Sequence, residues 1–251
     1  MKTNNGAIHL DAKGMHYREL NERIHQAVSR GTHEIILDHA NGQRYIGDAL
    51  RGDVRIIVNG VLGNDSAAFM DGPTIIVHAN AQDGIGNTMN SGKVIVHGSA
   101  GDITGYAMRG GRIYIRGDAG YRVGIHMKSY KESYPVIVIG GCAGDFLGEY
   151  MAGGLMVVLG LDKKKEDSLV GNYCATGMHG GAIYLRGEVE AYRLSTEIQQ
   201  SEAGAPDREI LQKYLREYCR DFSLDLKEVM GGRFIKLAPS SHRPYGKLYA
   251  Y

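Results

Sequence analysis

Few residues of this chain could do chemistry, and their spacing is regular. His78 and His97 stand 19 residues apart. In a repeat of that length they would share a column at roughly 5 Å, near enough to hold a metal between them. The neighbours in that column are Asn59 and Arg116, so it supplies no third ligand. Asp83, Asp102, Asp118 and Asp145 each follow a short apolar run and lie within two residues of a glycine. Paired carboxylates can serve acid–base catalysis, but aspartate beside glycine is more simply turn chemistry. The stretch GNTMNSGKV (86–94) ends like a phosphate loop. It places Asn87 where glycine is required and Val94 where the metal-binding hydroxyl belongs. GIGNTM (84–89) opens like a dinucleotide fingerprint, then lacks the third glycine and the helix that must follow. Cys142, Cys174 and Cys219 form no CxxC pair and leave an odd thiol, which argues against a disulfide framework or a four-cysteine metal site. No Gly-x-Ser-x-Gly elbow occurs. The sequence thus assigns no catalytic, cofactor-binding or metal-binding residue to this chain.

Composition narrows the classes further. Net charge is +1, which gives no electrostatic case for nucleic acid or an anionic membrane. No run approaches the ~18 apolar residues of a membrane span, and the start MKTNNGAIHLDAKG lacks the apolar core of a secretory signal. A cytoplasmic location is expected, and the cysteine usage fits a reducing compartment. Glycine occurs 36 times in 251 residues, about twice the ~7% of ordinary globular chains, and the glycines recur at fixed places.

Those places define the elements that must position everything else. Strand-like runs RIIVNG, TIIVHA, KVIVHG, RIYIRG, PVIVIG, LMVVLG and AIYLRG close at residues 60, 79, 98, 117, 140, 160 and 187. EIILDHA (34–40) reads as an earlier, less regular member. Met70, Met89, Met108, Met127, Met151 and Met178 hold one place in the repeat, four of them within GxxM, with Leu50 in that place one coil earlier. A period near 19 with one short β run suits one turn of a parallel β-helix, too short for a helix pair or a propeller blade. Stacking then makes each repeat position a ladder, and an unbranched thioether fits the irregular interior. The polar inserts KSYKESY (128–134) and LDKKKEDS (161–168) are loops leaving the stack undisturbed.

Within each run the second and fourth residues are apolar throughout and form the interior. The third residues, Ile57, Ile76, Ile95, Tyr114, Ile137, Val157 and Tyr184, point outward as an apolar stripe that something must cover. Cover can come from the chain's own flanks or from a partner. For a partner, Ile137, Ile139, Leu155, Val157 and Leu159 are the interface candidates. Two flanks could serve. Residues 16–31 place Tyr17, Leu20, Ile24, Ala27 and Val28 on one helical face, and 206–222 place Ile210, Leu211, Tyr214, Leu215, Tyr218, Cys219 and Phe222 at helical spacing. GGRFIKLAP (231–239) reads as a last strand before an irregular Tyr-rich tail, and 188–205 as a linker. The expectation is an all-β chain. A right-handed, single-stranded parallel β-helix of about seven coils (47–190) stands between an N-terminal cap with a helix (1–46) and a C-terminal helix and closing strand (191–251).

GEYMAGGLMVVLG (148–160), VGNYCATGMHGG (170–181), HLDAKGMHYRELNERI (9–24), GQRYIG (42–47) and RFIKLAP occur in order. Together they resemble the GXGXG β-helix domain at the C-terminus of the glutamate synthase large chain, in its free-standing form. KSYKESY departs from that pattern at the fourth coil. The resemblance implies a non-catalytic scaffold. In that family a glutaminase domain releases ammonia and an FMN and iron–sulfur domain reduces 2-iminoglutarate, while the β-helix holds them together. This chain lacks cluster-binding cysteines and opens Met1-Lys2 instead of on a nucleophilic cysteine. The implied partners are therefore separate glutaminase and FMN-binding synthase polypeptides, with a homo-oligomer left open. The related C subunit of formylmethanofuran dehydrogenase and N-methylglutamate synthase give the alternative assemblies. An independent hexapeptide acyltransferase fits less well because the 19-residue steps contradict its 18-residue coil, and a β-helix lyase because no acidic cleft with basic residues along an outward ladder is visible in the sequence.

Overall fold

The computed structural model describes residues 2–4 and 7–241. The tail expected after residue 241 lies outside the described residues. In chain order the elements are strands β1 (Lys2–Asn4) and β2 (Ala7–Asp11), helix α1 (Tyr17–Ser29), and strands β3 (Glu34–Gln43), β4 (Arg55–Leu62), β5 (Thr74–Val77), β6 (Lys93–Val96), β7 (Arg112–Ile115), β8 (Val136–Ile139), β9 (Ala152–Val158) and β10 (Gly180–Arg186). Strand β11 (Ile198–Glu202), helices α2 (Ala205–Phe222) and α3 (Leu226–Met230) and strand β12 (Phe234–Pro239) complete the chain. All strands join one sheet, parallel without a break from β2 to β10. Consecutive strands that pair in parallel need a crossover each time. Here the crossover is the rest of the coil, so the sheet is one wall of a parallel β-solenoid.

The repeat grammar explains each coil. A second ladder of single bridges runs Leu62, Ala81, Ala100, Ala119, Ala143, Val170. GxxM is a turn in which the methionine N–H donates to the glycine carbonyl, as from Met89 to Gly86 at 3.1 Å and from Met108 to Gly105 at 3.1 Å. All six repeat methionines are fully buried, so the ladder of thioethers threads the interior as expected. The glycine of the turn is required twice over at Gly86. Its φ is +71°, and a Cβ there would lie 2.6 Å from Ile113 Cδ1 of the next coil.

Helix α1 begins at His16, whose ring accepts from the Arg18 N–H, and it buries Leu20, Ile24 and Ala27 in the solenoid core. Its polar outer face meets solvent, so α1 closes one end of the column. At the other end β12 pairs antiparallel with β10. Residues 188–205 are more structured than a linker. They contain β11, which pairs antiparallel with β12 as an edge strand. Its sequence IQQSE carries no apolar alternation, which is why the pattern hides it.

One register differs from the sequence reading. Arg112 pairs with Val136, and Val136 with Leu155, so β8 is framed one residue later than PVIVIG suggested. A slip of one residue exchanges the two faces of a strand. Ile137 and Ile139 therefore point into the solenoid core, while Val136 and Val138 face outward. Pro135 through Ile139 are all apolar, so hydrophobic alternation could not fix the frame. The pairing restores the clock: the step is 24 residues across the insertion, then 19 again.

Candidate functional site

From Tyr114 onward the outward stripe is covered by the chain itself, while Ile57 and Ile76 nearer the N-terminal end stay half-buried. Val138, Leu155, Val157, Leu159, Tyr114 and Tyr184 pack with Leu211, Tyr214, Leu215, Tyr218 and Cys219 of α2 in a second core. The expected interface residues are thus accounted for within the chain. Ile137 and Ile139 lie inside the column, and Leu155, Val157 and Leu159 lie beneath α2, all at most 1% exposed. Cover from a flank, the simpler of the two readings, is what the fold uses.

Polar groups seat α2 in register. The Tyr218 hydroxyl donates to the Ile115 carbonyl at 3.1 Å, and the Tyr184 hydroxyl to Asp207 at 2.6 Å. Lys93 Nζ lies 3.1 Å from Glu217 and 2.8 Å from Asp221, and the Arg112 Nε sits 3.1 Å from Glu217. Burial pulls the Glu217 carboxyl upward, but the Lys93 hydrogen bond, the Arg112 and Lys93 charges and Tyr114 hold it below its ordinary value. Such a cluster has the look of an active centre, since perturbed acids beside cations often mark one. Every charge in it is consumed in clamping the helix.

The same holds for the other residues singled out. The His78 and His97 rings lie 5.1 Å apart and tilted by 33°, and Phe222 of α2 abuts His97 edge-on at 5.2 Å. Burial and the His78 neighbour lower the His97 pKa against a smaller pull from Asp221, so the pair is an outward ladder under a helix end. No group of three His, Cys, Asp or Glu with metal-binding geometry occurs among the described residues. The repeat aspartates hold coils together. Asp83 accepts from the Asp102 N–H, Asp102 from Tyr121, Asp118 from Cys142, and Asp145 from Asn172, all at 2.7–2.9 Å. Each bond joins one coil to the next, which explains the recurrence of aspartate better than catalysis does. Cys174 is fully buried, and burial pushes its thiol up to about 12, the reverse of an activated nucleophile. Cys219 is buried under α2, and burial takes its thiol up to about 11.

Asp48 is the unusual carboxyl. Burial, together with the nearby Asp65 charge, pushes it up to about 7 against a hydrogen bond from the Ala68 N–H at 2.9 Å. The folded protein therefore keeps a proton that the unfolded chain releases. The resulting penalty is absent below the ordinary carboxylate range, grows as pH rises toward 7 and is complete above it. Asp48→Asn retains the acceptor oxygen. It is expected to raise stability by about 1 kcal/mol near pH 8, after discounting for solvent screening, and by nothing near pH 4. Thermal melts at the two pH values check this, and an equal gain at both would refute it.

The sequence reading missed a built surface on the turn edge of the solenoid. In every coil three alternate turn residues adopt positive φ. Tyr45, Phe69, His126, Phe146, Tyr150 and Tyr173 do so at +53° to +64°. Equivalent places elsewhere hold Gly84 and Gly177. The rings form rungs: His126 stacks on Tyr150 at 5.3 Å and Phe146 on Tyr173 at 5.0 Å, with the Arg122 guanidinium 4.6 Å above Phe146. The one available signal was the recurrence of aromatics at repeat positions where glycine is the natural occupant.

Comparison with known proteins agrees with this architecture. The family model described as GXGXG motif matches residues 18–239. The chain is 51% identical over 248 residues to the uncharacterized protein MJ1350 of Methanocaldococcus jannaschii, covering 96% of this chain and 95% of that one. It is also 33% identical over 78 residues to Protein GlxC of Rhizobium meliloti, covering 30% of this chain and 34% of that protein. With its glycine-turn coils, buried methionine ladder and a family match across most of its length, the chain belongs to the GXGXG motif family.

Proposed function

We propose that this protein is a non-catalytic scaffold subunit of a split glutamate synthase-type complex, on which separate glutaminase and FMN/iron–sulfur polypeptides assemble to make glutamate. The observation that carries this reading is how the chain spends its polar side chains. The repeat aspartates accept backbone N–H groups from the following coil, and the buried charges bind α2. Groups that would do chemistry elsewhere here keep a column straight. Family membership supports the glutamate synthase connection, and a rigid column suits positioning of other chains. No helix among the described residues is long and apolar enough to cross a membrane.

The test is purification of the affinity-tagged chain from its native cell. Polypeptides carrying FMN and a glutaminase are expected to accompany it. Glutamate formation from glutamine and 2-oxoglutarate is expected of the assembly and not of this chain alone. Turnover by the isolated chain, or purification with neither polypeptide, would overturn the proposal.

A further inference from the structure

Bulky residues in the left-handed region cost of order 1 kcal/mol each or more, and such strain collects where function holds it. Here six rings occupy that region on one edge, although the fold accepts glycine at the same places. Phe69 remains 57% exposed, so burial within this chain does not repay its strain. The edge is also electrically lopsided. Its turn segments 45–51, 65–71 and 84–90 carry Asp48, Asp65 and Asp71 against Arg51. The segments 103–109, 122–128, 146–152 and 173–179 carry Arg109, Arg122 and Lys128 against Glu149. Backbone bonds fix these segments as successive rows: Asp65 N–H to the Asp83 carbonyl, Phe69 to Asn87, Thr88 to Tyr106, Ala107 to Ile125, His126 to Glu149.

We propose that this edge is an interface with a second copy of the same chain, related by a two-fold axis lying along the rows between segments 84–90 and 103–109. That operation keeps each column opposite itself and reverses the order of rows. Asp71 then meets Lys128 of the second copy, while Asp65 and Arg122, already paired within the chain to Arg44 at 3.6 Å and to Glu149 at 3.0 Å, meet as two closed ion pairs. Tyr45 meets Phe146, and Phe69 meets His126. Asp71 and Lys128 are both exposed in the single chain. The central rows, 84–90 against 103–109, bring only Arg109 as a charge, and the one like-sign opposition, Asp48 against Glu149 in the outer rows, is offset by the Arg122 that already pairs Glu149. Six paired rows at ~4.8 Å and a turn segment roughly 20 Å wide give about 600 Å² a side, at the lower bound of a specific interface. Four of the rings are stacked in pairs, His126 on Tyr150 and Phe146 on Tyr173, so their faces are partly used within the chain, which suits packing against a protein surface better than stacking of free bases. The pairing uses turn residues and none of α2, and it does not depend on what the complex synthesises.

Sedimentation velocity of the full chain tests it. Wild type is expected to form a dimer that weakens at high salt. Asp71→Lys and Lys128→Asp, each placing like charges opposite twice per dimer, are expected to weaken self-association about 10- to 100-fold. Mixed together the two variants regain opposite charges at both contacts, so the mixture is expected to dimerise where neither variant does alone. Phe69→Gly removes a ring and its strained φ, and is expected to loosen the dimer without lowering the melting temperature. A wild type that stays monomeric at about 100 μM, single variants that dimerise like wild type, or a mixture that fails to associate would each overturn the proposal. Dissociation constants at that concentration separate the weakest specific dimers from none.

Discussion

Gly92→Ala is expected to remove about 4 kcal/mol of stability, enough to unfold a large share of the molecules under mild urea. Two causes add. Gly92 has φ +96°, which a Cβ makes costly by 1 kcal/mol or more. A Cβ there would also lie 2.3 Å from the Pro73 carbonyl oxygen of the preceding coil. That oxygen accepts the Lys93 N–H at 2.9 Å, so the clash can be relieved only by opening the ladder between coils. Backbone cannot swing aside as the tip of a side chain can. The control is Gly31→Ala after α1, where φ is +87° but nothing lies within 4 Å. Its expected cost is the conformational part alone, about 1 kcal/mol. Urea unfolding monitored by circular dichroism measures both. Equal losses at the two positions would show that coil spacing is softer than a continuous parallel ladder implies.

The contrast between these glycines bears on how much of the molecule its sequence discloses. Period, strand positions and interior methionines were legible because a solenoid writes the same environment many times, and repetition averages out local ambiguity. Helices α1 and α2 were legible from their apolar faces, Leu20, Ile24 and Ala27 in one and Leu211, Tyr214, Leu215 and Tyr218 in the other. Strand β8 was misframed because its run is apolar on both faces, Val136 and Val138 under α2 and Ile137 and Ile139 inside. A strand buried on both sides loses the alternation that fixes register. Strand β11 escaped notice for the opposite reason: it is a mostly exposed edge whose order comes from main-chain pairing with β12. The identity of the cover over the stripe needed coordinates, since nothing in Leu211 or Tyr218 says which column a helix will lie along. The strained aromatic edge was visible only as residue types in columns. Their positive φ, which gives them meaning, is a property of the coil.

Lys93→Met is expected to cost about 3 kcal/mol near neutral pH and much less in acid, and the pH dependence is the informative part. The lysine side chain is only 15% exposed and joins two acids of α2, Asp221 at 11% and Glu217 at 21% exposure. Methionine preserves most of the stem volume, so the loss measures carboxylates left in a dry site without their cation, typically 3–5 kcal/mol when fully buried. Arg112 still reaches Glu217 at 3.1 Å, which sets the expectation at the lower bound. In wild type the Glu217 pKa is depressed. Its contribution is therefore complete above the ordinary carboxylate range and fades as pH falls through the lower folded value. In the variant the same fall in pH brings relief, because protonation removes a charge that has lost its partner. The two stability curves must converge as pH falls below the ordinary carboxylate range, from a gap that is widest near pH 7. Hydrogen exchange should find the loss concentrated in α2, since the helix is held from the side while the ladder from β2 to β10 runs unbroken beneath it. A gap that stays constant with pH would assign the effect to lost packing of the lysine stem. The buried ion cluster would then be incidental to how the helix is seated.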